Sequence, residues 1–583
     1  MRRFAGALVA VGLLTASCSL IGDDTACAPE EHSVARAWNE QALDAIRRDF
    51  PAPTVHARNL YHLSALQHDL WVAFEGTGSP ALLVDQPSPS PPSNGSTDRD
   101  STDGEATDGL VEAMAHGAHH LLTHRYRNAI GGDESLAAFD DLLACSGPGD
   151  TEAASYGVER ATALIDLTID DGSRETSGYV DLSYAPANPP LVVDEPGAGL
   201  VEPDRWQPLS LAAQTTQNDI ELPGGVQEFI GPQWGFVTPF ALEPDPERGL
   251  PVDPGPPPAA GTDEYVEAAI EVVEYGAWLD PTAGRRLRID PGAMGDRPID
   301  RYDGPGHPVN PANGRPYAPN EVDEADYGRV IAEYWADGPD SETPPGHWNT
   351  LANEASDRIA DDGPLRILGE VEVDRLEWDV KLHLALNGAL HDAAIAAWGT
   401  KAHYDYVRPI SMIRHLGETG ALPEVDGLID GAEPVPRILG WRGQPDDPSE
   451  TTAGVGRILA TEWVPYQRAT FVTPAFAAYV SGHSAFSRAG AEILTAFTGD
   501  AYFPGGLAEH TVEPGGLIHE AGPTEAITLQ WATYRDAADE AGRSRLYGGI
   551  HIAADDLAGR LVGLEVGQTA WARATELFGL PVG

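Results

Sequence analysis

Apolar residues recur at helical spacing along most of this chain. The pattern predicts helices over Ala35–Phe50, Ala57–Phe74, Leu110–Ile130 and Glu152–Ile169. It resumes at Asp263–Leu279, Glu321–Trp335 and Trp348–Ala360. Arg375–Trp398 is apolar on most faces, as a helix buried inside a bundle must be. Ser484–Phe497, Thr524–Ala541 and Asp556–Phe578 complete the set. Between them, residues 86–109 are rich in Ser, Pro, Asp and Gly and read as a mobile insertion. Residues 172–258 carry many Pro and Gly and little periodicity, so loop with short strands is expected there. No fixed-period repeat is present. The fold expected is mainly α, with an N-terminal helical region over 28–260 and a C-terminal helical bundle over 261–583.

The N-terminus has a different pattern. Arg2 and Arg3 precede a short apolar run from Phe4 to Leu14, followed by Thr15-Ala16-Ser17-Cys18. This reads as a signal peptide over 1–17. Thr-Ala-Ser-Cys is similar to a bacterial lipobox with Cys18 as the lipidated residue, and ordinary cleavage without lipid is the alternative. An exported protein of the bacterial cell envelope is expected, with a membrane link only through Cys18. No later segment is apolar for long enough to cross a bilayer. Of the 3 cysteines, Cys27 and Cys145 remain after Cys18. They form a disulfide or stay as two buried thiols.

Charge narrows the function. Against 90 Asp+Glu stand 37 Lys+Arg, a formal net charge of -53 in 583 residues. Such a chain repels phosphate backbones, which excludes nucleic acid as a partner. Lysine occurs only at Lys381 and Lys401. A solvated acidic surface almost without lysine suits solubility in high salt. Three weaker patterns carry no chemistry. Asp98, Asp100 and Asp103 lack the spacing and closing Glu of a calcium loop. His116, His120 and His124 share a helix face without an acidic partner. No G-x-S-x-G, G-x-G-x-x-G or Walker loop occurs.

Positive charge is therefore informative where it gathers, and it gathers near three motifs. Lys401 and Arg408-Pro409 follow the buried helix. Tyr479-Val-Ser481-Gly482-His483 stands directly before an apolar helix, where free backbone N–H groups and a hydroxyl make an anion cradle. Ser544-Arg545 precedes a Gly548-Gly549 step, His551 and Asp555, and the four-residue spacing lets Asp555 fix the imidazole tautomer. Three cations, a cradle and two histidines suit a tetrahedral oxyanion such as phosphate or vanadate.

K-x6-R-P, S-G-H and S-R-x5-H-x3-D in this order resemble the signature of the vanadium-dependent haloperoxidases and the related type 2 phosphatidic-acid phosphatases. The likeness extends upstream through Tyr334-Trp-Ala-Asp337, Thr343-Pro-Pro, Trp38-Asn-Glu and Ala57-Arg-Asn. Val480 departs from it, standing where the family usually has Pro. The resemblance implies a helix-bundle fold with vanadate as cofactor and phosphate as competing anion. It implies His551 as the vanadium ligand, and Lys401, Arg408, Ser481, Gly482 and Arg545 as holders of the vanadate oxygens. His483 would be the acid–base residue, Lys401 would activate bound hydrogen peroxide, and Asp337 would buttress an active-site Arg. Halide would leave as hypohalous acid and halogenate an organic substrate. Trp398 and Phe476 match aromatic positions of chloroperoxidases; as residues alone they read equally as bundle core. The alternative within the resemblance is an exported acid phosphatase, with His551 as nucleophile, Asp555 orienting it and His483 protonating the leaving group. An inactive surface lipoprotein is the reading from a different class.

Overall fold

The computed structural model describes residues 29, 32–84, 108–146, 149–336, 338, 341–431 and 434–580. The signal segment, Cys18, Cys27, Asp98, Asp100, Asp103, Asp337 and nearly all of the 86–109 insertion lie outside the described residues. Cys145 is disulfide-bonded, to a partner also outside them.

Among the described residues, five helices make the N-terminal part: α1 (Val34–Arg48), α2 (Pro53–Glu75), α3 (Asp108–Tyr126), α4 (Gly132–Ala144) and α5 (Glu152–Thr168). Nine follow: α6 (Asp263–Trp278), α7 (Pro291–Met294), α8 (Glu324–Tyr334), α9 (Thr343–Asp362), α10 (Arg375–Tyr404), α11 (Pro409–Thr419), α12 (Gly482–Thr498), α13 (Tyr534–Tyr547) and α14 (Ala553–Phe578). The fold is mainly α, as expected. None of the helices among the described residues is long and apolar enough to cross a membrane.

The helices pack around two hydrophobic cores. α1 to α5 share the smaller, which also takes in Leu376 and Val380 of α10. The larger lies among α2, α9, α10, α12, α13 and α14. α10 is its axis: Leu376 and nearly every residue from Trp378 to Lys401 is buried, which is why its sequence shows no polar face. A buried amide network registers four helices. Asn39 of α1 donates to Asn349 of α9 at 3.0 Å, Asn349 and Asn387 of α10 exchange hydrogen bonds at 2.7 and 3.1 Å, and Asn387 also reaches Ser64 of α2 at 2.9 Å. Amides buried this way must find partners, so they fix one helix register.

The approach of α14 to α12 is set by a glycine stripe. A Cβ on Gly559 would stand 2.8 Å from the Ser481 carbonyl oxygen, and on Gly563 2.4 Å from that of Ala485. On Gly567 it would meet Glu492 Cβ at 2.7 Å. One face of α14 is bare backbone, and α12 lies directly on it.

Element ends differ from the sequence reading in ways that matter for function. α10 runs to Tyr404, so Lys401 lies within its last turn and is buried. α12 starts at Gly482 with Ser481 as N-cap, which puts His483 in the first turn. α9 starts at Thr343, because prolines 344 and 345 are tolerated in a first helical turn. α4, α7 and α11 are not among the helices that periodicity predicts. The predicted helix over Thr524–Ala541 is instead a strand, Ile527–Trp531, paired antiparallel with Ala508–Val512 and followed by α13. Ile527, Leu529 and Trp531 are buried and alternate with more open Thr528 and Gln530, a period of two rather than 3.6. Thr533 and Asp536 then exchange capping hydrogen bonds at 3.1 and 2.9 Å to start α13.

Candidate functional site

The three motifs converge at one place. α10 delivers Lys401 from its last turn, the N-cap of α11 delivers Arg408, and the start of α12 brings Ser481, Gly482 and His483. The end of α13 brings Arg545, and the α13–α14 link brings His551. Asp555 sits in the first turn of α14.

His551 is held from both sides. Its Nδ1 lies 2.9 Å from Asp555 Oδ2 and its Nε2 3.2 Å from Arg408 Nη1. A guanidinium only donates, so Nε2 is the bare nitrogen and Nδ1 carries the proton, donated to Asp555. Asp555 Oδ2 also accepts from the Ile552 N–H at 3.1 Å, which ties the carboxylate to the helix start. Arg408 itself donates to the carbonyls of Phe476 at 3.0 Å and Ile550 at 2.8 Å.

Lys401 is fully buried, and its ammonium donates to the carbonyls of Ala477 at 2.9 Å, Ala478 at 2.8 Å and Val480. Arg545 donates to Ser544 Oγ at 2.9 Å and to the Ala332 carbonyl near the end of α8. His483 places Nε2 2.7 Å from the Trp335 carbonyl; a carbonyl only accepts, so Nε2 is protonated and Nδ1 bare. The Ser481 hydroxyl accepts from Ser484 N at 3.3 Å and keeps its own proton to donate. The Gly482 and His483 N–H groups open α12 and have no carbonyl within the helix.

Electrostatics follow from burial and like charge. Burial first, then Arg408, drives the Lys401 ammonium well below its ordinary range. Burial brings Arg408 down to about 9. His551 is held well below 6.5 by burial, then by Arg408 and Lys401, and His483 likewise by burial, then by Arg545. Both imidazoles are neutral at pH 7. Burial raises Asp555 to about 7, against the pull of the Ile552 N–H and the cations. In a chain of charge -53 the pocket floor holds three cations and one carboxylate already engaged by His551.

Above the floor is a cavity of about 990 Å³ whose lining includes Trp398, Phe476, Gly482, His483, Phe486 and His551. Trp398 donates its indole N–H to the Ile230 carbonyl at 2.9 Å, and its ring centroid lies 4.9 Å from that of Phe476. The Phe476 ring lies 5.1 Å from Lys401 Nζ and 5.2 Å from Arg408 Cζ, a cation–π contact with each.

The structure thus brings together Lys401, Arg408, Ser481, Gly482, His483, Arg545, His551 and Asp555, with Trp398 and Phe476 over them. Asp337 lies outside the described residues. His124 pairs instead with Glu175 at 2.9 Å and His120 with Thr162 at 3.2 Å. Among the described residues no group of three or more His, Cys, Asp or Glu could hold a metal ion. Sequence reasoning missed the carbonyls of Ala332, Trp335, Ala477, Ala478 and Val480, because every residue supplies a carbonyl. It also missed the α14 stripe, although Gly559, Gly563 and Gly567 are spaced at four.

Fold and site define a helical-bundle protein with a buried pocket that gathers cations. Residues 381–579 match the family model of the VCPO second helical-bundle domain. No curated protein matches the sequence. Solved structures similar over nearly the whole length include the following three. The apo-type bacterial vanadium-dependent chloroperoxidase superposes with a TM-score of 0.62 at 17% identity, over 90% of this chain and 95% of that one. The holo-type gives 0.63 at 16%, over 93% and 96%. A bacterial vanadium-dependent iodoperoxidase gives 0.57 at 18%, over 94% and 98%. Residues 381–579 belong to the VCPO second helical-bundle family, and the chain has the fold of the vanadium haloperoxidases.

Proposed function

We propose that this chain is a vanadium haloperoxidase-like enzyme that oxidises halide with hydrogen peroxide at a vanadate held by His551. One observation carries the reading: a bare, neutral His551 Nε2 faces three buried cations in an otherwise strongly acidic protein. Buried charge of one sign is costly until an ion of the other sign joins it. The donor set fits vanadate, with one imidazole nitrogen as ligand, Arg408, Arg545, the Ser481 hydroxyl and the Gly482 N–H for its oxygens, and Lys401 contributing charge beside them while its three N–H bonds go to carbonyls. Vanadate so held supplies a Lewis acid for peroxide activation.

The chain's own groups do the rest. Asp555 keeps the proton on Nδ1 of His551 and so keeps Nε2 free to bind. The Trp335 carbonyl keeps the proton of His483 on Nε2 and leaves Nδ1 to accept one from peroxide. Trp398 and Phe476 exclude water above the floor, which strengthens every charge interaction there. The proposed setting is the bacterial cell envelope, on the reading of residues 1–17 and Cys18.

Purified vanadate-free protein is assayed for halide-dependent peroxidation before and after orthovanadate. The expected result is activity that appears with vanadate and falls as phosphate is raised. Activity in vanadium-free protein that vanadate does not increase would overturn the reading. The His551–Asp555 pair also suits a histidine nucleophile, and this favours a phosphatase as second reading. Phosphomonoester hydrolysis that vanadate inhibits, without halogenation, would establish it.

A further inference from the structure

Where α12, α13 and α14 meet, a second buried carboxylate stands next to Asp555 in the sequence and has no part in the chemistry derived above. Asp556 is fully buried in the first turn of α14. Its Oδ2 accepts from the Tyr302 hydroxyl at 2.9 Å and from Arg560 Nη2 at 2.8 Å, and its Oδ1 from Arg560 Nε at 3.0 Å. Arg560 lies one turn further along the same helix, so the ion pair closes within α14. One more donor nevertheless reaches it from another helix. The Ser484 hydroxyl of α12 donates to Asp556 Oδ1 at 2.7 Å. A hydrogen bond to a charged carboxylate is stronger and more directional than one between neutral groups.

α13 leaves room for this bond. A Cβ on Gly542 would stand 2.1 Å from Asp556 Oδ1 and 2.9 Å from Ser484 Oγ. Gly542 lies inside α13, where glycine disfavours the helix, and the close approach explains its presence. The bond therefore joins three helices, and each of them carries part of the site nearby. Ser484 is the third residue of α12, and its N–H donates to the Ser481 hydroxyl oxygen at 3.3 Å. That contact occupies a lone pair of the Ser481 hydroxyl and leaves its proton for an anion. Arg545 follows Gly542 by three residues on α13. Asp555 directly precedes Asp556 and holds His551. Two neighbouring carboxylates in one helical turn thus address the two halves of the pocket, one the imidazole and the other the start of α12.

We propose that Asp556 is a positioning residue for the bound oxyanion: through Ser484 it fixes the Ser481 hydroxyl against the half of the site that Asp555 holds. The role rests on the anion pocket of the proposed function, and is common to its peroxidase and phosphatase forms.

The probe is inorganic phosphate, titrated into the vanadate-free protein by calorimetry, so the readout does not depend on activity. Ser484→Ala and Asp556→Asn are each expected to weaken phosphate binding about five- to tenfold. Ser481→Ala should weaken it to a similar degree, and adding Ser484→Ala to Ser481→Ala should cost nothing further. A general loosening of the three helices would not respect that limit, because Arg545 would move as well and the losses would add. Circular dichroism melts identify a variant that misfolds. Should Asp556→Asn be one, Ser484→Ala decides, since it removes a single hydroxyl and leaves the Arg560 pair intact. Wild-type affinity in Ser484→Ala, or additive losses in the double variant, overturns the proposal and leaves the anion pocket standing. Wild-type protein that binds neither phosphate nor vanadate overturns both.

Discussion

At the scale of single residues, the two site histidines differ in what holds them, and this separates their roles. His551 Nε2 points at Arg408 and its other nitrogen at Asp555, whereas the contact of His483 among the described residues is with the Trp335 carbonyl. His551→Ala is expected to lose vanadate affinity and activity together. His483→Ala should keep most of the affinity and lose turnover by about 10²–10⁴-fold, the range of general acid–base catalysis. Vanadate titration read by protein fluorescence, beside initial rates, checks both. Equal vanadate affinity in His551→Ala and wild type would remove His551 as the ligand. The eight residues that converge at the pocket were legible in the sequence, because cations are rare in this chain and the spacing of the three motifs is specific. Their backbone partners were not, since an Ala332 or Ala477 carbonyl has no sequence signature.

A second residue carries a pH signature. Asp392 of α10 accepts the N–H groups of Phe240, Ala241 and Leu242 at 2.7, 2.8 and 3.0 Å, which pins the loop after residue 237 to the axial helix. Burial nevertheless lifts its carboxyl to about 7. Its folded pKa is above its unfolded one, so its proton-linked stability is full below about 4 and is lost as pH rises through 7. Asp392→Asn, which cannot ionise, should therefore gain on wild type as pH rises from 5 to 8. Parallel melting curves at the two pH values measure this; a constant difference would show that Asp392 does not titrate in that window.

At the scale of elements, the α12–α14 contact places one half of the site against the other. The Ser481 N–H donates to the Asp555 carbonyl at 2.9 Å, and Gly559 one turn further along α14 packs on the Ser481 carbonyl. Gly563→Ala would drive a methyl into the Ala485 carbonyl. It is expected to cost about 1–3 kcal/mol, the usual range for overpacking, and to weaken phosphate or vanadate binding as Ser481 shifts. Denaturant melts and anion titration test the two effects. Unchanged stability would mean that the helices separate without cost. Most helices were legible because their apolar stripes are long. α4, α7 and α11 are short, and α11 directly follows the site loop. The 527–531 strand was hidden because five alternating residues run into a strong helix pattern. The ends of α10 and α12 were misplaced by a few residues. Lys401 and His483 lie in those margins, where polar function interrupts apolar periodicity.

At the scale of the whole molecule, charge is sorted by depth. Both lysines of the chain are buried on α10, and Lys381 has its ammonium 4.8 Å from the Trp71 ring centroid. The exposed cations among the described residues are therefore arginines, with histidine where it is protonated, in a field of carboxylates. With 90 acids against 37 bases, self-repulsion should ease as salt screens it. The melting temperature is expected to rise from low salt to molar NaCl; a flat or falling trend would contradict it.

The carbonyl cage around Lys401 bears on how such a site survives genetic drift. Its oxygens come from the backbone of residues 477, 478 and 480, so no exchange of side chain at those positions deletes them. Point substitutions that preserve the path of the chain leave the cage standing. A one-residue insertion or deletion between Pro474 and Ser481 shifts the frame of oxygens relative to α10 and unseats the ammonium at once. The cage depends on the length of this segment rather than on its side chains.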